Sequence, residues 1–334
     1  YNPHIQSNIQ DGSLAVGIKG KNGTGWNWDL SNTFGMNNYH FYGDKTFNAS
    51  LTGKTSPNRF DDGGFNFLQN TLNFDMSKGF KHVAAGFNLA FGAEFRYERY
   101  EIYKGEEASY KAYDPTEIYF DQVGETRVAA GGSQGFPGFS PNDETKDNRT
   151  NLGLYVDGEI NVVDAWLVDA AIRLENYSDF GFVSTYKLAT RIKAAPGFNI
   201  RGSISTGYRA PSLQQMNFSN TLTSFSGGEL VQSRIFSNKD NITRLAGIPE
   251  LTDEKSVNAS LGFSWKPIPA LTFTLDGYMV KIKDRVVLSG LFYAGDPNNP
   301  TALNDAMDNL KVETAQFFDN AVNTTNYGLD ILVD

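Results

Sequence analysis

Residues that could do chemistry are few in this sequence, and they do not converge. Ser212 directly follows Pro211, but the only histidines are His4, His40 and His82, and none lies near it in sequence. A Ser-His-Asp arrangement therefore has no placed base. Cysteine is absent, which excludes a thiolate nucleophile, a thiolate metal site and a disulfide framework. So few histidines also leave little from which to build a multi-histidine metal centre. Two acidic segments, Asp61-Asp62-Gly63-Gly64 and Asp296-Pro297-Asn298-Asn299, have the composition of calcium loops. Neither has the spacing, ending on a Glu, that an EF-hand needs, so both read as Asx turns. The net charge is −9 with no basic block, which argues against nucleic acid as a ligand. No catalytic residue and no cofactor is expected, and the chain is not read as an enzyme.

The elements that would position any binding residue show themselves by alternation. Between 81 and 103, Val83, Ala85, Phe87, Leu89, Phe91, Ala93, Phe95 and Tyr97 share one parity. The other parity carries His82, Ala84, Gly86, Asn88, Ala90, Gly92, Glu94, Arg96 and Glu98. Period two, with one apolar and one small-or-polar face, is a β-strand, and it outlasts the roughly five or six residues of a globular strand. On this reading His82 sits on the polar face near a turn, in a structural role. The same code recurs at 166–175, 198–209, 257–266 and 271–279, and further strands fit at about 12–21, 26–36, 65–77, 148–162, 182–194 and 323–333. Only a short helical turn near 301–310 interrupts an all-β pattern.

The connections alternate in length. Short ones are Asn22-Gly23-Thr24-Gly25, Lys78-Gly79-Phe80, Val163-Asp164-Ala165, Ala195-Pro196-Gly197 and Pro267-Ile268-Pro269; long ones lie near 37–63, 104–147, 210–253 and 291–322, with the brief Asn176–Gly181 link as the exception. That is an antiparallel up-and-down sheet with tight turns at one end and long loops at the other, the habit of transmembrane β-barrels. A soluble sandwich alternates too, its apolar face meeting a second sheet. Two features favour lipid instead. Charges and glycines fill the polar faces throughout, as a watery lumen requires. Aromatics also end several apolar stripes, at Tyr97, Tyr208, Trp265 and Tyr327, where amphipathic rings sit at a membrane interface. No run approaches the roughly 18 apolar residues of a transmembrane helix.

The motifs add a family resemblance. Gly207-Tyr208-Arg209-Ala210-Pro211-Ser212-Leu213-Gln214-Gln215 resembles a strand-end segment of TonB-dependent outer-membrane receptors. Upstream stand Gly131-Gly132-Ser133-Gln134-Gly135-Phe136-Pro137-Gly138-Phe139-Ser140-Pro141 and Glu175-Asn176-Tyr177-Ser178-Asp179-Phe180-Gly181; downstream stand Leu251-Thr252-Asp253-Glu254-Lys255-Ser256-Val257-Asn258 and the segment Ile282-Lys283-Asp284-Arg285-Val286-Val287-Leu288-Ser289-Gly290. Trp28-Asp29-Leu30-Ser31-Asn32, with Phe34-Gly35 and Asn37-Asn38, extends the likeness to the start. Each motif is weak alone, but in this order they span nearly the whole chain. The resemblance implies an outer-membrane receptor of a Gram-negative bacterium, with about 22 strands around a plug. Its partners would be membrane lipid, a scarce small-molecule nutrient, and the TonB complex acting through the plug. This chain carries no plug-like region, and its alternation supplies about eleven strands, so residues 1–334 read as the central part of such a barrel. Its first and last strands are expected to pair with strands outside this chain or with a second chain, since an open edge in lipid leaves backbone groups unsatisfied.

Under that resemblance, ligand contacts fall on the long loops and the upper lumen. The candidates are Tyr110, Tyr113, Tyr119 and Phe136 in the second loop, Arg209 at the lumen mouth, Phe225 and Arg234 in the third loop, and Tyr293 in the fourth. Aromatics with Arg, Asn and Gln suit planar catecholates or sugar rings, although packing of loop against loop is the expected role of most of them. Haem receptors of the superfamily carry a box like Tyr208-Arg209-Ala210-Pro211 followed by a ligating His, but 212–253 contains no His. The implied cargo is a ferric siderophore or other iron complex. An oligosaccharide importer of the same family, and a secreted soluble glycan-binding β protein, stay open as alternatives.

Overall fold

The computed structural model describes residues 2–51, 56–113, 118–120, 126–128, 131–226 and 229–334. In chain order its elements are β1 (His4–Lys21), β2 (Asn27–Asp44), β3 (Arg59–Phe80), β4 (Phe87–Tyr103), α1 (Glu107–Tyr110), β5 (Ile118–Phe120), β6 (Thr126–Val128), β7 (Thr145–Val163), β8 (Trp166–Tyr177) and β9 (Gly181–Ala195). There follow β10 (Phe198–Arg209), α2 (Leu213–Asn217), β11 (Asn220–Ser226), β12 (Glu229–Phe236), α3 (Asn241–Leu245), β13 (Glu254–Ile268), β14 (Leu271–Leu288), β15 (Phe292–Tyr293), α4 (Thr301–Leu310) and β16 (Thr314–Val333). Eleven long strands pair antiparallel with their sequence neighbours, in the order β1-β2-β3-β4-β7-β8-β9-β10-β13-β14-β16. The short strands belong to the loops: β5 pairs β6, β11 pairs β12, and β12 and β15 lie against the head of β16. The sheet does not close on itself among the described residues; β1 is paired on one side only.

Register turns the alternation into two faces. Ile18 lies opposite Leu30, Leu30 opposite Phe74, Phe74 opposite Ala93, Ala93 opposite Leu154, and Leu154 opposite Leu174. One apolar row therefore crosses six strands on a single face. Across β3 this belt runs from Leu68 to Met76, about the nine to eleven residues a tilted membrane strand needs. No second sheet covers it among the described residues, and Leu154 and Leu261 are 51% and 68% exposed. Phe87, Leu89, Phe91 and Phe263 share this open face and none is buried. A soluble sandwich would enclose these side chains, so that alternative falls. The belt admits the polar pair Asn32 and Asn70, whose amides each donate to the other's oxygen at 3.0 Å; this reciprocity removes most of the cost of amides facing hydrocarbon.

The opposite face is a ladder of charge. Arg173 bridges Glu94, at 3.2 Å, and Glu175, Lys187 lies 2.5 Å from Asp169, Arg201 pairs with Asp276, and Tyr155 donates to Asp75 at 2.5 Å. These groups are paired within a strand, with the next strand or across one intervening strand, as suits polar groups on a water-filled inner wall.

Several boundaries differ from those read in the sequence. β3 continues to Phe80, which pairs with Phe87, so Lys78-Gly79-Phe80 is strand and the turn occupies 81–86. His82 lies in that turn, not in β4. The chain reverses there because Ala84 (φ 50°) and Gly86 (φ 126°) leave the extended region. The other ends of the strands reach beyond the apolar belt: β2 runs to Asp44, β3 begins at Arg59, and β16 begins at Thr314. The true connections are therefore 45–58, 104–144, 210–253 and 289–313. Strand above the membrane meets water, so its residue pattern no longer advertises it. Residues 301–310 do form a helix, α4, of 10 residues. At the short-turn end, the Pro196-Gly197 turn needs a glycine, because position 197 has φ 73°.

Candidate functional site

The long-loop end of the wall is where side chains gather. Above the charged ladder the inward positions become apolar and mostly aromatic: Phe41 of β2, Phe65 and Phe67 of β3, Tyr100 and Ile102 of β4. They pack with Phe139 and Phe218, with Leu213 and Met216 of α2, and with Leu251, Val286 and Phe318. Ring centroids lie 5.3 Å apart for Phe41 and Phe136, and 6.2 Å for Phe65 and Phe218, the range in which edge and offset contacts are favourable. The loops thus fold down onto the wall and roof the lumen on this side. A second cluster joins the third and fourth loops: Phe236, Ile242 and Ile248 meet Leu303 and Met307 of α4 and Val312, Ala315 and Phe317. Those two loops share one core.

Charged groups fasten the roof. Asp143, just before β7, accepts from Ser219 at 2.8 Å and Arg234 at 3.1 Å. Asp147 accepts from Asn217 at 2.7 Å and Lys239 at 2.5 Å. Arg149 donates through Nε to Glu98 at 2.5 Å and through Nη1 to the Pro211 carbonyl at 2.7 Å, and stands 5.3 Å over the Tyr177 ring. Asp143, Asp147 and Arg149 share parity, so one face of β7 and of the residues just before it fastens the third loop at Pro211, Asn217, Ser219, Arg234 and Lys239. Burial alone would raise the Asp147 carboxyl, but its bonds to Lys239 and Asn217 outweigh it and hold the group below the usual carboxylate range. Pro211, lacking an N–H, ends β10. Ser212 then starts α2 with a capping box, its hydroxyl accepting from the Gln215 N–H and the Gln215 side chain accepting from its own.

The residues picked from the sequence divide accordingly. Arg234 is committed to Asp143 and to the Phe236 ring, 4.9 Å away; its side chain is 14% exposed. That places it in packing, as it does Phe136. Arg209 pairs with Glu254 and reaches Gln215 at 3.3 Å, yet its side chain stays 50% exposed, so it remains open to solvent. Tyr113 and Tyr293 are exposed, the former beneath the Lys111 ammonium at 5.1 Å, and Tyr110 is half-buried. The side chains of Tyr119 and Phe225 lie outside the described residues. Tyr208 is not an interfacial girdle residue: its hydroxyl lies 3.1 Å from that of Tyr177, in the inner network. Sequence reasoning missed Glu98, Asp143, Asp147 and Arg149. Charges of one parity at 143, 147 and 149, just before β7's apolar stripe, were the available signal. The two acidic segments are indeed Asx turns: Asp61 Oδ1 accepts from the Gly63 N–H at 2.9 Å and Asp296 Oδ1 from the Asn298 N–H at 2.8 Å. Among the described residues no three His, Cys, Asp or Glu side chains are placed to hold a metal.

Comparison with known proteins places this wall. The family described as TonB dependent receptor-like, beta-barrel matches residues 1–334. The siderophore receptor PirA from Acinetobacter baumannii is similar at 16% identity and TM-score 0.60, over 98% of this chain and 42% of that one. A variant of the ferric enterobactin receptor PfeA from Pseudomonas aeruginosa, in complex with enterobactin, is similar at 13% identity and TM-score 0.60, over 97% of this chain and 41% of that one. The RagAB peptide transporter is similar at 12% identity and TM-score 0.58, over 99% of this chain and 34% of that one. The chain spans about two fifths of the length of the first two and a third of the last.

Proposed function

Since the chain belongs to the β-barrel of the TonB-dependent receptor family, and so lies in the outer membrane of a Gram-negative bacterium, we propose that it forms the central wall of a receptor that captures a ferric siderophore or similar iron complex. Import is energised by the TonB complex through the receptor's plug. The observation that carries this reading is the roofed mouth: an inner wall of paired charges ends under folded loops that leave Arg209, Tyr113 and Tyr293 exposed. An exposed guanidinium with tyrosines suits an anionic ligand with planar rings, which catecholate siderophores are. Tyr110, Tyr119 and Phe225 complete the proposed contact set, with Phe136 and Arg234 holding the loops that present it.

The test is uptake of radioactive iron, as its siderophore complexes, by iron-starved cells with and without the intact gene. Loss of uptake of one siderophore on deletion is the expected result. Unchanged iron uptake, with loss of growth on an oligosaccharide instead, would move the cargo to the sugar class.

A further inference from the structure

Above the membrane belt, β3 begins with two adjacent carboxylates that meet opposite fates. Asp61 is well satisfied: it binds His40 Nε2 at 2.7 Å and accepts the Gly63 N–H. Asp62 is 0% exposed, and neither of its carboxylate oxygens has a hydrogen-bond partner. Ser133, from the second long loop, is 1% exposed and its hydroxyl is likewise unpartnered. Both groups border one spot. A Cβ on Gly43 would lie 2.6 Å from Ser133 Oγ and 3.1 Å from Asp62 Oδ2, so the absence of a side chain at 43 keeps this space open.

Buried polar atoms without partners are rare, and each calls for a physical account such as a bound ion or water. A buried carboxylate with neither oxygen bonded is the costliest kind. Burial, with the negative charge of Asp61 and Glu106 added, pushes the Asp62 carboxyl up to about 8, so the site favours whatever neutralises it. We propose that Asp62 and Ser133 are side-chain ligands of a hard, oxygen-liganded cation of the calcium type, bound beside Gly43 where the first and second long loops meet the head of β3. One carboxylate and one hydroxyl, with no cluster of three acidic or imidazole ligands among the described residues, set the affinity class: a site of extracellular type, filled at roughly 0.1–1 mM calcium. The ion would bind loop to strand. Thr46 already donates to the Gln134 carbonyl at 2.8 Å across the same junction, and Phe139 donates its N–H to the Asp62 carbonyl at 2.9 Å.

The experiment uses the full receptor in detergent, stripped with chelator, with calcium chloride alone as probe. Bound calcium is counted by equilibrium dialysis, and protease cleavage of the second loop is followed with and without the ion. Wild type should bind one calcium more than Asp62→Asn, with a midpoint of roughly 0.1–1 mM and slower cleavage when the ion is present. Ser133→Ala should weaken that midpoint about fivefold, and it decides the matter if Asp62→Asn does not assemble. Equal calcium counts in wild type and Asp62→Asn, or an unchanged midpoint in Ser133→Ala, would overturn the assignment.

Discussion

Replacing Arg149 by Met should loosen the roof over the lumen more than any other single change in the mouth. Its side chain is 6% exposed and that of its partner Glu98 is 9%. Removing the guanidinium leaves Glu98 buried without its counter-charge, and removing one partner of such a pair costs about 3–5 kcal/mol. The Pro211 carbonyl and the face of Tyr177 lose their contacts as well. Replacing both partners by groups of similar shape is far less costly, since the desolvation of two charges disappears with the pair. The double variant Glu98→Gln with Arg149→Met should therefore recover at least about 2 kcal/mol of the single variant's loss. Denaturant unfolding of the full receptor in detergent gives the stabilities, and protease nicking within 210–253 reports the roof. A single variant that loses less than about 1 kcal/mol, or a double variant no more stable than the single, would refute the view that this pair carries the third loop.

The lipid face should reject charge: Leu154→Arg, at the middle of the belt, should cost about 2–4 kcal/mol and reduce assembled receptor on a heat-modifiability gel, whereas Asp157→Asn on the inner face should assemble normally. Arg209→Ala should cost about 1–3 kcal/mol, because it leaves Glu254, whose side chain is 8% exposed, without its counter-charge and bonded to the Val286 N–H, while weakening ligand capture about tenfold in a binding titration. Acid should release the third loop: a carboxyl held below its ordinary value of 3.8 contributes stability above that value and loses it as pH falls further. Nicking within 210–253 should therefore rise on acidification below about 3.8, and Asp147→Asn should flatten that dependence.

The wall was legible in the sequence because a strand with hydrocarbon on one side and water on the other must alternate residue by residue. Phe87 to Tyr97, Trp166 to Leu174 and Val257 to Trp265 carry that code with no help from distant contacts, and eleven strands follow from it. Strand ends were less legible. Above the belt both faces are polar or packed under loops, so β2 to Asp44 and β16 from Thr314 left no period-two trace. The mouth was legible only as a list of residue types. Whether an arginine meets ligand or holds a loop depends on which carboxylate folding brings beside it: Asp143 claims Arg234 from 91 residues away, while Glu254 leaves Arg209 half exposed. The same holds for Asp61 and Asp62, neighbours in sequence, one bonded to His40 and the other buried with no partner. Local chemistry sets the period of a strand, but only the closing of long loops decides which charges meet.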